Sequence, residues 1–134
     1  MQIVTAYVIT AIVFFGLDLI GLRLIIRPVF ARHINELLLD GYRAVPAIIF
    51  YLFYIAGLMV FVSGPALKAG APMQAALMGA FFGALAYGTY EFTNYATLKA
   101  WTPSMVAVDV VWGTFLTGFS AWAGVAATRA IWSG

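Results

Sequence analysis

The chain has no cysteine. Disulfides, thiolate metal sites and cysteine nucleophiles are therefore excluded, and the redox compartment stays open. Its one histidine, His33, cannot form a histidine cluster around a metal, so no metal site is expected. Charge is also scarce. Seven basic and five acidic side chains bring the charged fraction to 9% of 134 residues, where an ordinary globular domain carries about a quarter. A net charge of +2 is too small to point to nucleic acid. No Walker loop, Rossmann glycine pattern, haem ligand pair or Ser/His/Asp set occurs. Any cofactor stays unknown, no catalytic residue is identified, and enzymatic activity stays open.

Apolar residues fill the space left by charge, at 64% of the chain. A polar shell this thin cannot solvate a water-soluble domain, so the bilayer is the expected solvent and partner. A hydrocarbon core of ~30 Å needs ~20 mostly apolar helical residues. Four stretches qualify: about 4–26, 46–62, 74–98 and 104–127. The expected fold is all-α, a single membrane domain over 1–134 forming a four-transmembrane-helix bundle. The N-terminus lacks a basic leader, so the first stretch is expected to be retained as a helix.

Pro46, Pro72 and Pro103 sit at or just before helix starts, where a missing N–H costs nothing. Thr102 is placed to cap the fourth helix. Ser63-Gly64-Pro65 is expected to end the second. Between the first two spans, Phe30, Ile34, Leu37 and Leu38 recur at helical spacing, while Arg32, His33, Glu36 and Asp40 lie mostly elsewhere. That pattern predicts a short amphipathic interfacial helix between helices 1 and 2.

Arg23, Arg27, Arg32, Arg43 and Lys99 lie near the first and third connections. Only Lys68 and Arg129 lie near the termini and the second connection. This asymmetry predicts cytoplasmic first and third connections, with both termini outside. Trp101 and Tyr42 on one side, and Trp132 and Tyr7 on the other, are expected in interfacial aromatic belts.

Helices in lipid associate through close contact and polar bonds. Gly79, Gly83, Ala84 and Gly88 mark one face of the third helix. Gly113, Thr117, Ala121, Gly124 and Thr128 mark one of the fourth. The two are expected to pack as a tight antiparallel hairpin.

Three acids lie within spans: Asp18, Glu91 and Asp109. Each costs ~3 kcal/mol at a helix centre. At 1.5 Å per residue, they lie ~13, ~12 and ~9 Å from helix ends expected on one side of the membrane. Three helices thus deliver an acid to one layer. Tyr87, Glu91 and Asn94 share a face of the third helix, and Tyr51 and Tyr54 reach similar depth on the second. No basic residue is expected in that layer; Arg23, five positions after Asp18, points elsewhere and snorkels. The acids must then be protonated, share protons, meet water or hold a cation. Oxygen ligands of this kind suit a hard cation rather than zinc or copper. The expected ligand-binding set is Asp18, Glu91, Asn94, Asp109, Tyr51, Tyr54 and Tyr87. The leading expectation is a small protein that binds or transports a proton, cation or small polar ligand. The alternatives are a lipid-modifying membrane enzyme and an accessory subunit, and a homo-oligomer or membrane-complex partner stays open.

Several runs are distinctive. They are Leu17-Asp18, Phe50-Tyr51-Leu52-Phe53-Tyr54-Ile55-Ala56-Gly57-Leu58, Tyr87-Gly88-Thr89-Tyr90-Glu91-Phe92-Thr93-Asn94-Tyr95-Ala96-Thr97-Leu98 and Asp109-Val110-Val111-Trp112-Gly113. Together they resemble the bacterial membrane-protein family catalogued as domain of unknown function 2177, over nearly the whole chain. The resemblance implies a four-helix bacterial inner-membrane protein and supplies no activity. Its motifs fall on Asp18, Tyr51, Tyr54, Glu91, Asn94 and Asp109. Glu91 stands where the family favours Asp, and Gly21 where it favours an aromatic residue.

Overall fold

The computed structural model describes residues 1–38 and 43–133, all of its regular structure helical. Helix α1 spans Gln2–Gly21 and passes through a π-helical turn, Leu22–Ile26, into α2, Arg27–Ile34. Helix α3, Ala44–Leu58, likewise passes through a π turn, Met59–Ser63, into α4, Gly64–Ala69. Helices α5, Pro72–Thr97, and α6, Pro103–Ser133, complete the chain.

Both π turns stand immediately before a proline-containing segment. Pro28 and Pro65 have no N–H, and a proline ring crowds the carbonyl four residues back. The helix absorbs this by widening one turn rather than stopping. The Arg27 N–H bonds to Leu22 O, and the Gly64 N–H to Met59 O, each five residues back. Ser63-Gly64-Pro65 therefore does not end the second helix as expected. Gly70 does, in the left-handed conformation at φ 64°. The Ala71 N–H then reaches Ala66 O at 3.0 Å, closing the end. By the same device the amphipathic segment forms α2 as a continuation of α1. Phe30 and Ile34 are buried on α6 residues Met105 and Val106, and Leu37 is exposed. Asp40 and Tyr42 lie outside the described residues.

Three of these helical stretches are long and apolar enough to cross a membrane: Gln2–Leu37, Ala44–Ala69 and Pro103–Trp132. Helix α5, at 26 residues, has the length for a fourth crossing, ~39 Å. Its Gln74, Glu91 and Asn94 and its glycines make it less apolar than the others. Large apolar side chains such as Ile12, Leu24, Phe53, Leu77 and Val111 face outward. That surface suits lipid and not water.

The α5–α6 hairpin is antiparallel, since Gly79 lies by Ala121 and Gly83 by Gly113. A Cβ on Gly83 would sit 2.5 Å from the Gly113 carbonyl oxygen, and one on Gly118 would sit 2.9 Å from the Ala76 oxygen. Only glycine permits this approach of two backbones. Gly88 meets only Phe92 of its own helix, and Gly124 faces Thr10 and Ala6 of α1. The small residues of α6 thus serve two neighbours. Thr102 caps α6 as expected, its Oγ1 accepting from the Met105 N–H at 3.4 Å. Trp132 is exposed and donates to Thr5 Oγ1, tying the end of α6 to the start of α1.

Candidate functional site

Helices α1, α5 and α6 each bury one acid, Asp18 near the end of α1, Glu91 toward the end of α5 and Asp109 near the start of α6. Glu91 is 0% exposed, Asp18 6% and Asp109 8%. Asp109 interacts with both Glu91 and Asp18, so the three carboxyls form one electrostatic group.

Glu91 is gripped from one side. The Trp101 Nε1–H donates to its Oε1 at 2.8 Å. Its Oε2 is buried without a hydrogen-bond partner. Trp101 was expected in an interfacial belt. Instead it is buried, its ring edge-on to Phe30 at 5.4 Å between centroids. The reason is local: the turn 98–102 folds back under α5 and carries an indole donor to the Glu91 carboxyl.

A cavity of about 960 Å³ opens between α1, α3, α5 and α6. Asp18, Asp109, Tyr51, Tyr54 and Tyr87 lie on its wall. The other two expected site residues do not. Glu91 sits behind Asp109, and Asn94 is half-buried next to Tyr90. Other lining residues went unassigned from sequence, among them Trp112, Phe50, Tyr90 and Arg43. Trp112 was legible in principle, three positions after Asp109 and so on the same helix face. Arg43 lines the same cavity, away from the acids' layer. It immediately precedes α3, and the cavity runs from the acids to that end of the helix.

The walls are held by aromatic packing and two polar ties. Phe14 contacts both Tyr51 and Tyr54, with centroids at 5.4 and 5.8 Å. The hydroxyls of Tyr54 and Thr117 share a hydrogen bond at 3.0 Å, fixing α3 to α6. The Tyr7 hydroxyl donates to Leu52 O at 2.7 Å, fixing α1 to α3. Trp112 covers Gly21, where any Cβ would strike the indole ring. The buried Trp112 Nε1 faces Asp18, and the buried Tyr87 hydroxyl faces Tyr51, yet neither completes a hydrogen bond. Unmet polar atoms at a cavity wall are what a ligand or bridging water satisfies. No three of the acids and His33 gather as metal ligands among the described residues.

No curated protein and no solved structure matches the chain. The family described as Predicted membrane protein (DUF2177) matches residues 3–126. With helices apolar enough to cross a bilayer and a family match over almost its whole length, the chain belongs to the DUF2177 family of predicted membrane proteins.

Proposed function

We propose that this membrane protein binds a small polar or cationic ligand in the chamber between α1, α3, α5 and α6, in the manner of a small transporter. One observation carries the reading: two buried acids and four tyrosines, contributed by four helices, line the same cavity. Burying carboxyls is costly, and a bound cation or proton offsets that cost. The accessory-subunit reading would have been favoured by acids facing apart with no cavity between them. The lysine and arginine asymmetry supports an inner-membrane orientation with α2 and the α5–α6 connection cytoplasmic and both termini outside.

The absence of native cysteine permits a direct test. Ala86 lines the cavity, and an Ala86→Cys variant adds one small thiol there. A cationic methanethiosulfonate (aminoethyl) is expected to label it at least tenfold faster than the anionic sulfonatoethyl reagent. That preference should shrink in Asp18→Asn and Asp109→Asn backgrounds. Equal rates with the two reagents, unaffected by the acids, would end the proposal.

A further inference from the structure

We infer that the chamber's ligand is an organic ammonium that also carries an anionic group, of the phosphoethanolamine type. This rests on the binding reading above and narrows it to a class. The acidic end supplies the first argument. Asp18 and Asp109 are more than nine-tenths buried on the wall, and Glu91 Oε2 behind them has no partner. A positive group completes this end.

The walls decide which kind. Tyr51, Tyr54, Tyr87 and Trp112 line the cavity beside the acids. Aromatic faces attract ammonium groups and favour weakly hydrated organic cations. A bare metal ion would need several ligands gathered around one point, and no such group of acids and histidine exists among the described residues. A volume of about 960 Å³ also matches an organic ligand rather than an ion.

The other end carries the opposite sign. Arg43 is exposed and yet lines the same cavity. A guanidinium there recognises phosphate or carboxylate by paired N–H donors. Acid at one end and arginine at the other select a zwitterion. Leu22, Ile26 and Phe50 on the same wall leave room for an attached apolar chain. The headgroup could thus arrive free or as part of an aminophospholipid, and the two sources share one recognition chemistry.

The test uses the full chain in detergent micelles and reads tryptophan fluorescence, with Trp112→Phe identifying the cavity signal. The probes are O-phosphoethanolamine, ethylammonium and vesicles of phosphatidylethanolamine or phosphatidylglycerol. Phosphoethanolamine is expected to bind at least tenfold tighter than ethylammonium. Arg43→Gln should erase that advantage, and Asp18→Asn should weaken both. A response to phosphatidylethanolamine, and none to phosphatidylglycerol, identifies the lipid as source; a response to the free headgroup alone identifies a soluble ligand. If Arg43→Gln leaves the phosphoethanolamine affinity unchanged, the zwitterion inference is overturned while cation binding stands. If neither ammonium compound binds and charge-selective labelling of Ala86→Cys is also lost, the chamber reading falls with it.

Discussion

Along the α5–α6 hairpin, a Cβ added at Gly79, Gly83 or Gly118 would come within 2.9 Å or less of the facing helix. Along the α3 side of the same bundle, side chains before Tyr54 are mostly exposed, and aromatic rings stand where the hairpin has glycine. One interface is dry and closed. The other is propped open by Phe14, Tyr51 and Tyr54 and encloses the cavity. The difference is a matter of side-chain size at contact positions. Small residues let backbones meet and exchange dispersion contacts. Rings hold helices apart and leave space that only a ligand, lipid or water can fill. A tightly packed hairpin that carries Glu91 and Asp109 therefore faces a less closely packed helix that carries Tyr51 and Tyr54.

The largest blow to this contrast should come from Gly83→Leu. The new side chain would meet the Gly113 carbonyl and Thr117. Overpacking of this kind costs about 3 kcal/mol. Thermal unfolding in detergent micelles should show a marked drop, and an unchanged midpoint would mean that the hairpin is not the tightly packed half. Trp101→Phe should come next. It strips the indole donor from a fully buried carboxyl, at about 2 kcal/mol. A double-mutant cycle with Glu91→Gln measures the coupling, and additive losses would contradict it. Gly16→Ala should have the smallest effect, of opposite sign. Nothing lies within 4 Å of a Cβ there, so the helix gains about 1 kcal/mol at most. Destabilisation by this variant would show that α1 is packed more tightly than its surroundings indicate.

Much of the site could be read from spacing. Helical rise assigns depth, so Asp18, Glu91 and Asp109 could be put in one layer before any contact was known. The same arithmetic brought Tyr51, Tyr54 and Tyr87 alongside. Rotation is harder to read than depth. Glu91 and Asp109 share a layer, yet only Asp109 reaches the cavity wall, because the hairpin turns Glu91 toward Trp101. Trp101 itself was hidden by a sound general rule. A tryptophan at a helix end belongs to the interface unless a buried acceptor claims its N–H, and the claim is made across ten residues. Gly21 is explained the same way: its missing side chain leaves the place that the Trp112 ring occupies.

Composition and periodicity by themselves determined the solvent, the helical fold and the depth of the acids, because each follows from hydropathy and a fixed rise per residue. Tertiary structure alone decided where the prolines widen a helix instead of ending it. It also decided which acid faces a cavity and which is sealed by an indole, and that Arg43 shares the chamber with Asp18. These depend on the rotation and separation of helices, which are set by the sizes of side chains meeting from distant parts of the chain.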